Sequence, residues 1–257
     1  MKLYFSVTGN SLAVARQVAE KLNESIVSLH EAVRRDLTQE KRIGLVFPTY
    51  DFNIPPAVCQ LVKQLRISAD AYVFVIITCG GQVGNSIWKL RRLLQKQGIE
   101  LAYSHKVRVP DNSAIAFGRN PNDQMWKFKH VDGRIEQIVA DVQAKCHELH
   151  YSWWSFIAWI MGLKKMEEGM LRTLRPHVNE ERCVGCETCV RVCPMRNIVM
   201  TEHEDNHSLA AIGPHCTVCF ACLHFCPHQA VQVGKRLTIK EHQYHHPKVK
   251  LKDLLCR

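Results

Sequence analysis

The chain has no long hydrophobic run. Its longest apolar-rich stretch, residues 151–163, contains two serines and falls short of the roughly 20 residues that a spanning helix needs. No transmembrane segment is expected. The residues before Thr8-Gly9-Asn10-Ser11 offer too few apolar positions for a signal-peptide core, so export is not expected and a cytoplasmic location is. The sequence also lacks the lysine of a Walker A loop and the glycine spacing of a dinucleotide fingerprint, which disfavours nucleoside triphosphates and NAD as cofactors. Acidic residues are the scarcer charge: 24 Asp+Glu face 34 Lys+Arg, a formal net charge of +10.

That excess raises nucleic acid or an anionic membrane as partners, but its distribution tempers both. Residues 1–150 hold 20 Lys+Arg against 14 Asp+Glu, residues 151–234 hold 7 against 8, and residues 235–257 hold 7 against 2. No recognition motif supports a nucleic-acid role. Residues 151–163 read as a helix that is apolar nearly all round, to be buried between domains or to touch a membrane surface shallowly through 151–165.

Cysteine is the residue the chain has in plenty. Twelve cysteines without an export signal argue for metal or redox use rather than disulfides, and eight of them fall between Cys183 and Cys226.

The opening 150 residues alternate β-rich runs with helix-period stretches. They predict an α/β doubly wound five-stranded parallel sheet, with strands at Lys2–Val7, Ile26–Leu29, Ile43–Phe47, Ala71–Thr78 and Leu101–Val109. Helices are expected over Asn10–Asn23, Pro55–Leu65, Asn85–Gln97 and, loosened at Asp132-Gly133, from about Gln124 to Leu149. The domains read as 1–150, a linker helix 151–175, a small cysteine-rich α+β module 176–234, and a basic, histidine-rich tail 235–257 with little hydrophobic pattern.

Within the module, Cys183-Val-Gly-Cys186-Glu-Thr-Cys189-Val-Arg-Val-Cys193-Pro repeats 33 residues later as Cys216-Thr-Val-Cys219-Phe-Ala-Cys222-Leu-His-Phe-Cys226-Pro. The spacing C-x2-C-x2-C-x3-C-P, occurring twice, resembles the two-cluster bacterial ferredoxin module. A cubane needs several soft thiolates from one compact loop, and the first three cysteines supply them. The resemblance implies that each fourth cysteine serves the other cluster. Cys183, Cys186, Cys189 and Cys226 are thus expected to hold one [4Fe-4S] cluster, and Cys193, Cys216, Cys219 and Cys222 the second. Structural zinc sites also use C-x2-C, but they do not require three cysteines in register and Cys-Pro, twice over. Val184, Val218, Phe220, Leu223 and Phe225 are expected to form an apolar jacket, and the histidines of this region, His224 and His228 among them, to face solvent.

Ser6-Val7-Thr8-Gly9-Asn10-Ser11 falls where the first strand turns into the first helix, a position suited to an anion and equally to an ordinary helix cap. It resembles the phosphate loop of flavodoxins, which implies FMN held by Ser6, Thr8, Gly9, Asn10 and Ser11. Two further loops at strand carboxyl ends would complete the site: one with Thr49, Tyr50 and Phe52, the other with Thr78, Cys79, Gly80 and Gly81. Pro110-Asp111-Asn112 is expected on the same rim. Cys59, Cys79, Cys146 and Cys256 also read simply as small buried hydrophobes.

Taken in order, these loops and the two-cluster module resemble the EFR1 family of fused flavodoxin/ferredoxin proteins, known chiefly from anaerobic bacteria. The resemblance implies an electron carrier that serves redox partner proteins. A flavin-dependent reductase of a small substrate, and an iron-sulfur adaptor whose first domain no longer binds flavin, are the alternatives.

Overall fold

The structure, a computed structural model, describes residues 1–151, 173–202, 208–235 and 237–255. The helix expected beyond Tyr151, as well as His203, His207 and Cys256, lies outside the described residues. No helix among the described residues is long and apolar enough to cross a membrane.

The chain divides into two compact units. The first comprises Met1–Ser6, Asn10–Pro110 and residues 126–151; the second comprises Val7–Gly9, Asp111–Met125 and the described residues from 173 onward.

The first unit is built on a parallel sheet of six strands: β1 (Lys2–Tyr4), β2 (Ile26–Ser28), β3 (Arg42–Pro48), β4 (Tyr72–Cys79), β5 (Leu101–Arg108) and β6 (Glu148–Leu149). Their order across the sheet is β2-β1-β3-β4-β5-β6. The 2-1-3-4-5 order of the first five is that of flavodoxin-like folds. All five expected strands are present. The two-residue β6 adds an edge that was hidden in the expected helix, since two residues are too few to show a period of two.

All eight residues of β4 are buried, which is why its sequence is continuously apolar rather than alternating. Helix α1 (Asn10–Lys21) buries Leu12, Ala15, Val18 and Ala19. It ends through Asn23, whose left-handed backbone lets the Glu24 N–H reach Ala19 O at 2.9 Å, a Schellman closure.

That closure sets Glu24 beside Lys2 and Arg42, with which it forms ion pairs. The Lys2 side chain is fully buried, its Nζ 4.9 Å from the centre of the Phe74 ring. Gly44 lies between them because any Cβ there would meet Phe74 Cζ at 2.5 Å and Lys2 Cδ at 2.7 Å.

Helices α2 (Pro56–Val62), α3 (Ser86–Gln95) and α4 (Val131–Gln143), a one-turn helix at Leu29–Ala32 and a two-stranded parallel pair of Asp36–Leu37 and Arg66–Ile67 complete this unit. The α4 helix begins later than expected. Residues Pro121–His130 are a 3-10 segment, and Gly133 is accommodated inside α4, where Ile135, Ile138 and Val142 are fully buried.

The second unit is made of short pieces: β7 (Pro176–Val178) pairs antiparallel with β10 (Val231–Val233), and β8 (Ile198–Glu202) with β9 (Ser208–Ile212). Two five-residue helices, α5 (Thr188–Val192) and α6 (Ala221–Phe225), follow the cysteine loops. The duplication extends to the backbone. Left-handed residues recur 33 positions apart at Gly185 and Val218, at Glu187 and Phe220, and at Arg196 and Gln229.

The tail is packed rather than loose. Tyr244, His246, Val249 and Leu254 are buried, the Thr238 hydroxyl donates to Val231 O at 2.7 Å, and the Gln243 amide donates to Leu223 O at 2.8 Å and Cys226 O at 2.7 Å.

Candidate functional site

The cysteine loops enclose two cavities in the second unit. Cys183, Cys186, Cys189 and Cys226 line one; Cys193, Cys216, Cys219 and Cys222 line the other. The left-handed residues explain how a short loop turns several thiols inward, since each reverses the chain where an extended or helical residue would carry it past. Gly185 is required twice over: its φ is +69°, and a Cβ there would lie 2.8 Å from Ser208 O.

Each fourth cysteine is held alike. The Asn197 N–H donates to Cys193 Sγ at 3.4 Å and the Ala230 N–H to Cys226 Sγ at 3.2 Å. Such N–H···S contacts stabilise negative charge on sulfur and belong to the levers on cluster potential.

The two sites differ in shelter. Cys186 is exposed and Val184 is 51% exposed, whereas Phe220 and Leu223 are buried. The expected apolar jacket is therefore closed around the second loop, whereas on the first Val184 lines the cavity but is half exposed, and Glu187 stands where the second copy has Phe220.

Burial raises the Cys189 thiol to about 11 and Cys219 to about 12, and pushes Cys222 well above its ordinary value. Thiolate is the ligating form. Four sulfurs around one cavity, two of them buried in each case, therefore suit a group that brings positive charge among them, as an iron-sulfur core does.

His224 is not at the surface. It is buried, accepting from the Tyr244 N–H at Nδ1 (3.0 Å) and donating from Nε2 to Asn112 O (2.9 Å); burial first of all holds its pKa down at about 4. His228 and His215 are exposed as expected. Asn112, expected on a flavin rim, belongs to the second unit, where its amide donates to Cys219 O at 3.0 Å. Asp111 caps the 3-10 turn Asn112–Phe117 by accepting from the Ser113 N–H at 2.9 Å and its hydroxyl at 2.7 Å. The Asp-Asn-Ser run carries that signal as a helix cap.

The candidate flavin residues of the first unit, Ser6, Asn10, Ser11, Thr49, Tyr50, Phe52, Thr78, Cys79, Gly80 and Gly81, stand at the carboxyl ends of β1, β3 and β4, beside the point where strand order reverses between β1 and β3, while Thr8 and Gly9 belong to the second unit. Ligands of doubly wound sheets bind at such a point. Their polar side chains are largely engaged within the protein. The Ser11 and Thr78 hydroxyls lie 2.7 Å apart and buried, the Asn10 amide donates to Pro110 O at 3.0 Å, and Thr49 Oγ1 lies 3.0 Å from Ser86 Oγ.

The second and third loops lean on each other: the Asn85 N–H donates to Phe52 O at 2.7 Å, and Gly84, with φ +52°, is pressed directly against that carbonyl. Tyr50 pairs with Asn53 across this turn, and the Phe52 ring is 57% exposed. The Gly80 carbonyl accepts from Lys127 Nζ at 2.7 Å, while the space beside Gly81 is open. Cys79 is buried, its thiol pushed up to about 11 by burial.

Thr8 and Gly9 carry a contact that no sequence motif announced. The His246 N–H donates to Thr8 O at 2.8 Å, and a Cβ on Gly9 would lie 2.9 Å from both His246 Cβ and Val249 Cβ. The glycine is explained by the tail as well as by its φ of +99°. For a flavin the position at the strand ends fits, with the Asn10, Ser11, Thr49 and Thr78 side chains already hydrogen-bonded within the protein.

Residues 175–227 match the 4Fe-4S dicluster domain family. Through those residues the chain belongs to that family of iron-sulfur, electron-transfer domains. The pyruvate synthase subunit PorD of Methanocaldococcus jannaschii is 33% identical over 67 residues, which are 26% of this chain and 74% of that subunit. Among solved structures, the rubredoxin oxygen:oxidoreductase of Desulfovibrio gigas is similar with a TM-score of 0.38 at 18% identity, over 56% of this chain and 36% of that one. An FMN-dependent NADH-azoreductase of Bacillus anthracis in complex with FMN is similar with a TM-score of 0.34 at 15% identity, over 54% of this chain and 99% of that one.

Proposed function

We propose that this chain is an electron carrier of the fused flavodoxin/ferredoxin kind, the EFR1 family among them. One [4Fe-4S] cluster is held by Cys183, Cys186, Cys189 and Cys226, and a second by Cys193, Cys216, Cys219 and Cys222. The observation that carries this reading is the sorting of eight thiols into two cavities of four, each combining three cysteines of one loop with the fourth of the other.

Clusters exchange single electrons and a flavin one or two; FMN in the first unit would join those two currencies for redox partner proteins. Support for FMN is the placement of Ser11, Thr49, Tyr50, Phe52, Thr78 and Gly81 at the strand ends beside the β1/β3 reversal.

Anaerobically prepared protein should carry about eight irons and as many sulfides, with reduced-cluster EPR signals. Cys186→Ala should remove the signal of one cluster and Cys219→Ala that of the other. Equal loss of both from either change overturns the crossed arrangement, and zinc in place of iron overturns the function.

A second reading, an iron-sulfur adaptor without flavin, is favoured by the tail seated on Gly9. Titration with FMN separates the two. One tightly bound FMN per chain, weakened by Thr8→Val with iron content unchanged, supports the carrier with flavin; no binding leaves the adaptor.

A further inference from the structure

A pocket of about 650 Å³ opens in the first unit at the carboxyl half of β5, within the roughly 300–1,000 Å³ range of small-molecule sites. Four fixed cations line it: Lys106 and Arg108 on β5, Lys127 just before α4, and Arg134 in the first turn of α4. Lys106 and Arg108, two residues apart on a strand, point to the same side. Trp126 and Tyr151 stand beside them, 57% and 46% exposed.

No acidic side chain is among the described lining residues. Glu148 lies 3.3 Å from Nε2 of His150, which lines the pocket, and Asp141 accepts from the Tyr103 hydroxyl at 2.7 Å.

Three of the cations each donate to a neutral group. Lys106 Nζ donates to Gln82 Oε1 at 3.0 Å, Lys127 Nζ to Gly80 O at 2.7 Å, and Arg134 Nη1 to His105 Nε2 at 3.2 Å. Among the described residues Lys106, Arg108 and Arg134 form no ion pair.

A guanidinium can only donate, so His105 Nε2 is the acceptor and the ring proton sits on Nδ1. That Nδ1 is buried without a partner. Burial, followed by the charges of His150 and Arg134, holds the His105 pKa at about 4, so the ring is neutral at pH 7. The charges of Lys106, Arg108, Lys127 and Arg134 do not depend on that ring.

Lys106, Arg108 and Arg134, gathered in a concave site with no ion pair of their own among the described residues, repel one another unless an anion joins them. Three such cations call for more than one negative charge, and two exposed aromatic rings beside them offer a stacking face for a planar ring. We propose that this pocket binds a nucleotide carrying a diphosphate, its phosphates among Lys106, Arg108, Lys127 and Arg134 and its base against Trp126 or Tyr151. An acidic protein partner would be better served by a flat basic face than by a recess of this size.

The test is calorimetry on the full chain, prepared anaerobically with excess FMN so that the strand-end loops are not the site measured. The probes are ADP, inorganic pyrophosphate, adenosine and poly-glutamate. One ADP per chain is expected, with pyrophosphate weaker by about tenfold and adenosine weaker still. Lys106→Gln and Arg134→Gln should each weaken ADP by about tenfold while iron content and thermal midpoint hold, charge-assisted bonds being the strong ones. Trp126→Ala or Tyr151→Ala should weaken ADP and leave pyrophosphate unchanged.

ADP affinity indifferent to both charge variants overturns the site. Pyrophosphate as tight as ADP overturns the nucleotide. Poly-glutamate tighter than ADP and sensitive to the same variants assigns the pocket to an acidic protein instead.

Discussion

The two units are held together by different means. The first has a sheet whose central strand is wholly buried and whose helices cover it with aliphatic side chains, each contributing roughly 1.5–3 kcal/mol relative to exposure. The second has helices of five residues and strands of three to five, and its core cluster counts Cys189, Cys193, Cys222 and Cys226 among its buried members. One unit carries its own core. The other has arranged its most buried positions around sulfur, so that its stability is tied to what the sulfur binds.

The sharpest way to break this contrast is to remove iron. With a chelator under reducing conditions, amides of β8, β9 and β10 should lose hydrogen-exchange protection while those of β3 and β4 keep it; equal protection in both units before and after would erase the distinction.

A smaller effect, confined to the first unit, should follow Glu24→Gln. It leaves Lys2 buried with its partner uncharged, and a loss of about 3 kcal/mol is expected, at the lower end for a broken buried pair. Urea unfolding would read it, with iron content unchanged.

Acid probes the same group. Burial alone would raise the Glu24 carboxyl, but hydrogen bonds and charge from Lys2 and the amino terminus outweigh it and hold the pKa at about 2, against an ordinary 4.5. A depressed carboxylate gives stability that is full above pH 4.5 and lost as pH falls toward 2. His105, depressed from 6.5 to about 4, removes stability over that higher window, because the unfolded chain takes up its proton first. Acid melts of wild type and Glu24→Gln should therefore converge below about pH 3.

The smallest effect lies inside the second unit, between its two copies. Gly185→Val imposes on the first loop the residue of the second and should cost about 1–2 kcal/mol, from left-handed strain and the contact with Ser208 O. Val218→Gly should cost less than that. Iron retained after mild heating orders the two; a harmless Gly185→Val would show that the copies are interchangeable there.

How much of this could be read beforehand follows the same divide. The first five strands were legible from their β-rich runs, β4 most plainly because a strand buried on both faces reads continuously apolar, and the cysteine loops because cluster chemistry fixes their spacing. What escaped was set by single contacts at long sequence separation. His224 looks like any surface histidine of a short helix until Asn112 and Tyr244 enclose it. Gly9 reads as part of an anion loop until His246 and Val249 arrive from the tail. Thr8, Asn10 and Ser11 were correctly placed at the end of β1, yet the partners of their side chains and carbonyls lie far along the chain. The six-stranded edge was missed because β6 is two residues long, and with it the basic pocket that opens where β6 stops.

That short edge has a further bearing. Among the described residues, β5 is paired on its outer side with β6 only at Tyr103 and Ser104, so no described strand lies beside its carboxyl half. Lysine and arginine on such a strand are the usual guard against edge-to-edge association. Neutralising Lys106 and Arg108 together would thus remove a safeguard against aggregation as well as charge, and the pair serves the colloidal behaviour of the molecule whatever it binds.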